Sequence, residues 1–97
     1  MSNVLVMRLV TGEDVIGDVT MITEIYNVKN PATLMLHPNG QSVAMVPTAM
    51  FSGNATETVS IHRDKILFSY KPSTEILNTY NQKFGSGLIM AGPQLLI

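Results

Sequence analysis

His62, Arg63, Lys65 and Lys71 fall within one short region, with Tyr70 among them. Cationic side chains contact phosphates, and an aromatic ring can stack on a base. The competing reading is an ordinary solvated loop in which Arg63 pairs with Asp64 or Glu57. Asn27 follows an apolar strand pattern. Its amide can pair with the edge of a splayed base, or bond its own backbone in a turn. Acid–base chemistry is poorly provided for. The only histidines, His37 and His62, lack a metal-ligand spacing such as His-x-x-x-His. Glu24 and Asp18 have no evident partner, and there is no phosphate-binding glycine loop. The usual titratable constellation is missing, so neither an enzyme nor a cofactor is expected. The absence of cysteine excludes disulfides and thiolate metal sites.

The chain has 97 residues, the size of one domain. Of these, 45% are hydrophobic and 13% charged, against about 25% charged in an average domain. A small domain buries a modest core, and the apolar surplus is most simply covered by association with further subunits. Net charge is −1, so there is no global field to attract phosphates. Any nucleic-acid site must be local, and symmetry would multiply it. Met1-Ser2-Asn3 does not open a signal peptide, and no apolar run approaches the roughly 18 residues that span a bilayer. The expected location is cytoplasmic, without a membrane partner. The sequon Asn54-Ala55-Thr56 has no meaning without secretion.

Val4 to Asn27 holds two strand patterns separated by Thr11-Gly12-Glu13-Asp14, where Gly12 suits a tight turn. Val4 to Val10 is apolar on both faces except at Arg8. Val15 to Ile22 alternates, with Gly17 marking a bend or a close backbone approach. Tyr26 to Asn30 leads to Pro31, which fits a sheet edge or a strand start. Further strands are expected at Thr33–His37, Ser42–Phe51 (with Pro47 at a bulge or unpaired edge), Thr58–Ile61 and Ile66–Tyr70. Pro38-Asn39-Gly40-Gln41 signals a turn, and Ser52 to Glu57 a polar loop. Ser73 can cap a helix whose first turn holds Glu75. Ile76, Leu77, Tyr80 and Phe84 give that helix an apolar stripe, and Gly85 ends it.

The spacing of Arg8-Leu9-Val10-Thr11-Gly12, then Gly17, then Asn27 ten positions later resembles the first motif of the Sm/LSm RNA-binding family. Ile61-His62-Arg63-Asp64-Lys65-Ile66 is similar in shape to the second. His62 stands where the family has arginine, and Arg63 where it has glycine. The resemblance implies that Asn27 hydrogen-bonds a base edge, with His62 or Arg63 beside it to close the pocket. The stacking position falls on Ile25, with Tyr26 adjacent but facing the other way if the strand period holds. The acidic residue of the loop would be Thr23 or Glu24, and only Glu24 is acidic. Asn30-Pro31, Tyr80-Asn81, Phe84-Gly85 and the apolar C-terminal segment make the chain most similar to the divergent Sm-like proteins of marine cyanophages.

The expected fold is therefore all-β. It is a strongly bent five-stranded antiparallel sheet of Sm-like type, a small open barrel, with an added C-terminal helix. One domain, 1–97, would comprise a sheet (1–71), a helix (72–85) and an apolar tail (86–97) docked on the same or a neighbouring subunit. Edge strands of neighbours would pair into a homo-oligomeric ring. The expected ligand is single-stranded RNA, or DNA, contacted by Asn27, Tyr26, His62, Arg63 and Lys65. The expected role is in RNA or DNA processing or stability, in an infected host cell if the chain is phage-encoded. The alternative is a structural or protein-interaction ring without nucleic acid.

Overall fold

The computed structural model describes residues 3–36, 38, 40, 42–49 and 57–84. The elements run β1 (Val4–Leu9), β2 (Asp14–Ile22), β3 (Ile25–Leu36), β4 (Val43–Pro47), β5 (Thr58–His62), a 3-10 turn at Arg63–Lys65, β6 (Ile66–Tyr70) and α1 (Thr74–Phe84). All pairings are antiparallel. The sheet order is β4-β3-β2-β1-β6, with β5 also paired to β3. Among the described residues no helix is long and apolar enough to cross a membrane.

The expectation of five strands in a strongly bent, barrel-like sheet is corrected. Among the described residues there are six strands, and the sheet they form is neither closed nor strongly curled. The edge opposite β6 is built from two strands laid end to end. β4 pairs with Ala32–Leu36 of β3, and β5 pairs with Ile25–Lys29. No ladder joins either of them to β6 among the described residues. β4 stops at Pro47, which has no N–H to carry a ladder onward.

β3 is also longer than the Asn30-Pro31 pair suggests, and runs through it for 12 residues. Ile16 pairs with Ala32 and Asp18 with Lys29, so Gly17 alone stands opposite both Asn30 and Pro31. Two residues against one form a β-bulge, which bends its strand locally. Pro31 is tolerated there because the ladder needs no N–H from it. Asn30 takes a positive φ of 53°, a conformation asparagine accepts better than most residues. Gly17 is required by space rather than by φ. A Cβ at that position would overlap Cγ1 of the buried Val28 and come within 3.4 Å of the Lys29 carbonyl oxygen.

Core residues collect on the two faces of the sheet. Leu5, Met7, Val15, Val19 and Val28 form one cluster; Val6, Ile16, Ala32, Met45 and Tyr80 form the other. The alternation of Leu5, Val6 and Met7 shows why β1 reads as apolar on both faces: each face meets a core. Each side chain fully buried here contributes about 1.5–3 kcal/mol of transfer free energy. Arg8, the exception in β1, lies opposite Asp14 and pairs with it through two hydrogen bonds, including Nη2 to Oδ2 at 3.0 Å. The same guanidinium lies 5.6 Å from the ring centroid of Phe68 on β6.

The helix forms where its stripe and cap indicate. The Ser73 hydroxyl accepts the Ile76 N–H at 3.2 Å, and Ile76, Tyr80 and Phe84 pack on the second cluster. Tyr80 also fastens the helix to the bulge. Its hydroxyl lies 2.9 Å from the Asn30 carbonyl oxygen and 3.2 Å from that of Lys29. Asn30 Nδ2 donates in turn to the Phe84 carbonyl at 3.4 Å. The expected terminator Gly85, the tail 86–97, the sequon at Asn54 and most of the Ser52–Glu57 loop lie outside the described residues, as do His37, Asn39, Met50 and Phe51.

Two substitutions test this arrangement. Gly17→Ala should cost about 1–3 kcal/mol, because Val28 is stiff and enclosed and cannot move aside freely. A lowered midpoint in urea unfolding, with unchanged slope, is the expected result. Tyr80→Phe should cost a similar ~1–3 kcal/mol by leaving carbonyls unpaired. Burial raises the Tyr80 phenol above its ordinary value of 10.0, and the nearby charge of Asp18 adds to the effect. A raised folded-state pKa means that stability holds below about pH 10 and declines as pH climbs beyond it. Tyr80→Phe should show a shallower alkaline decline than the wild type.

Candidate nucleic-acid interface

The pairing of β5 with the first half of β3 brings two turns together. Ile25 lies opposite His62, so the Thr23-Glu24 turn before β3 abuts the Arg63–Lys65 turn after β5. The Arg63 N–H donates to the Glu24 carbonyl at 2.8 Å. Glu24, His62, Arg63 and Asp64 line a shallow cavity of about 210 Å³ between the turns.

Strand periodicity sorts the neighbouring side chains. Ile25, Asn27, Ser60 and His62 share one face, because Ile25 pairs with His62 and Asn27 with Ser60. Asn27 lies within β3 rather than in a loop. Its Oδ1 accepts the Ser60 hydroxyl at 2.8 Å, so the amide is held by a cross-strand bond and not by its own turn. Tyr26 points the other way, half-buried against the Leu5–Met7–Val28 cluster with Ile61. It is therefore on the opposite side of the sheet from Asn27 and is not placed to stack on a base held there.

His62, Arg63 and Lys65 are all exposed. The Lys65 carbonyl accepts the Val10 N–H at 2.9 Å, which ties the turn to the end of β1. Lys65 does not line the cavity. Tyr70 and Lys71, close to Arg63 in sequence, are carried away by the extended β6. Tyr70 pairs with Val6, and Lys71 borders a separate groove with Asn3, Val4, Pro72, Leu77 and Asn81.

The charge of the cavity differs from the basic patch that the sequence suggests. The residues that line it are two acidic ones, Glu24 and Asp64, with Arg63 and His62. Among the described residues the single ion pair is Arg8–Asp14, so Arg63 is not engaged by Asp64, Glu57 or Glu24. No group of three or more histidine, aspartate or glutamate side chains suited to a metal occurs among the described residues. What the cavity offers is mixed hydrogen-bonding capacity: donors from Arg63, acceptors from Glu24 and Asp64, and an imidazole. Ser60 and Asp64 were not distinguished by the sequence as site residues, since only cross-strand register reveals where they lie. No protein-family model and no curated protein matches the sequence.

Thr23 occupies the first position of the two-residue turn with φ 52°. A β-branched side chain is strained in that region, at a cost of roughly 1–2 kcal/mol. Thr23→Gly relieves the strain but adds freedom to the unfolded chain. A net gain of about 0.5–1 kcal/mol is expected, seen as a higher melting temperature. A lower melting temperature would show that the threonine side chain supports the turn.

Proposed function

We propose that this chain is a ring-forming, Sm-like nucleic-acid-binding protein that contacts single-stranded RNA, or DNA, through Asn27, His62 and Arg63. Its role is in RNA or DNA processing or stability in the cytoplasm, that of an infected host if the chain is phage-encoded. The observation that carries this reading is the hydrogen bond from Arg63 to the Glu24 carbonyl. It brings the turn of the second motif beside the strand that holds Asn27, as the resemblance implies. Two further features support it. The strands follow one another antiparallel, and the mid-strand glycine lies at a bulge. Apolar side chains are also exposed at both sheet edges: Met35, Leu36 and Val43 at one, Leu67, Phe68 and Tyr70 at the other. Head-to-tail pairing of the β4–β5 edge with β6 of the next copy would engage both edges and close a ring. Lys65 adds a peripheral phosphate contact.

A protein-interaction ring without nucleic acid is the second reading. It is favoured by the two carboxylates at the cavity and by Ile25, a poor stacking residue, on the Asn27 face.

Light scattering and fluorescence anisotropy with short oligonucleotides separate the two. A multimer is expected whose oligonucleotide affinity falls as salt rises. Arg63→Ala and Asn27→Ala should each weaken binding about tenfold, the scale of one good polar base contact. Absence of binding at low salt would transfer the assignment to the interaction ring. Unchanged affinity in the double variant would remove these residues from the interface.

A further inference from the structure

The donors and acceptors around the cavity are not neutral toward base identity. Glu24 is fixed at its backbone by the 2.8 Å bond from Arg63 and belongs to a two-residue turn with little freedom. Its carboxylate and that of Asp64 accept hydrogen bonds only, and the Arg63 guanidinium donates only. Among the described residues neither carboxylate pairs with Arg63, so the three groups are not spent on one another. The side-chain Oδ1 of Asn27 already accepts one hydrogen bond, from the Ser60 hydroxyl.

We propose that the cavity selects bases carrying an exocyclic amino group over uracil and thymine, with Glu24 as the specificity-determining residue. The proposal rests on the nucleic-acid reading of this interface. Cytosine shows why. Its edge presents an amino donor beside a ring nitrogen and a carbonyl, both acceptors. The amino group suits a carboxylate, and the two acceptors suit a guanidinium. Adenine and guanine also place an amino donor next to an acceptor. Uracil instead presents two carbonyl oxygens flanking a single N–H. A carboxylate that meets the N–H of uracil has a carbonyl oxygen on either side, and lone pairs face lone pairs. Discrimination by a polar site follows from such unmatched groups more than from shape.

The test is anisotropy titration of fluorescent oligo-C and oligo-U of equal length, with the full chain and with Glu24→Gln and Asp64→Asn. The quantity read is the ratio of the two dissociation constants, which cancels the uniform gain in affinity from removing a negative charge. In the wild type, oligo-C should bind about tenfold more tightly than oligo-U. Glu24→Gln should bring the ratio near one, because an amide can turn its donor toward a uracil carbonyl; Asp64→Asn should change it less. Oligo-U bound as tightly as oligo-C, or a ratio unmoved by Glu24→Gln, overturns the selectivity and leaves the interface standing. If neither oligomer binds, the selectivity falls together with the nucleic-acid reading it rests on.

Discussion

The fold depends on how one bulge in β3 is held. Gly17 faces Asn30 and Pro31 together, and at that point β3 changes partner on its other side, from β5 to β4. A change of partner leaves backbone groups at risk of burial without a bond. Here each is met. The Asn30 N–H reaches the Glu57 carbonyl, the Pro31 carbonyl accepts from Thr48, and the Tyr80 hydroxyl serves the carbonyls of Lys29 and Asn30. The missing N–H of Pro31 removes one donor from the problem. The missing side chain of Gly17 lets β2 approach Val28. These are separate residues in sequence, but each is intelligible only beside the others.

From the bulge, both the helix position and the interface follow. Tyr80 is a core residue with a polar tip, and its placement buries the ring while giving the hydroxyl a partner. That placement fixes α1 over Val6, Ile16 and Ala32. On the other side of the bulge, the register of β5 sets Ile25 opposite His62, which decides that the Arg63 turn meets Glu24 rather than another loop. A one-residue slip would send Asn27 and His62 to the core face, where neither has an apolar body suited to it. Packing by Val28, Tyr26 and Ile61 opposes such a slip. The geometry of the interface is therefore maintained by the core beneath it.

Local sequence revealed the elements whose signals are local. The helix was legible because Ser73 caps it and because Ile76, Tyr80 and Phe84 recur every four residues, and it spans Thr74–Phe84. β1, β2 and the Gly12 turn were legible for the same reason, and Gly12 does take a positive φ of 96°. β3 was not, because the Asn30-Pro31 rule describes one strand in isolation and says nothing of a glycine opposite. The strand count failed likewise: an edge made of two strands depends on which half of β3 each one meets. At the candidate site, the sequence leaves open whether Asn27 and the His62–Lys65 loop belong together; it is the β3–β5 register, with Asn27 opposite Ser60 and Ile25 opposite His62, that sets Asn27 and His62 on one face. The acidic character of the cavity was not legible either, since Glu24 and Asp64 lie 40 positions apart. Tyr70 and Lys71 misled in the opposite sense. They are near Arg63 along the chain, but an extended strand adds roughly 3.3 Å per residue.

The charge balance of the cavity constrains how such an interface can bind a polyanion. With two carboxylates and one guanidinium, a single copy does not attract phosphates by its field, and the chain as a whole carries −1. Affinity in the proposed reading must then come from contacts made at close range and repeated. One weak site on each copy becomes effective when copies are joined, because a strand held at one site is at high local concentration for the next. The exposed apolar edges that favour association are thus tied to the weakness of the individual site. Bases, rather than phosphates, would carry most of the recognition, since base edges specify while phosphates position. An interface of this kind gains selectivity from its carboxylates and loses general affinity for the same reason. Charge that repels a backbone at a distance can still choose among bases on contact.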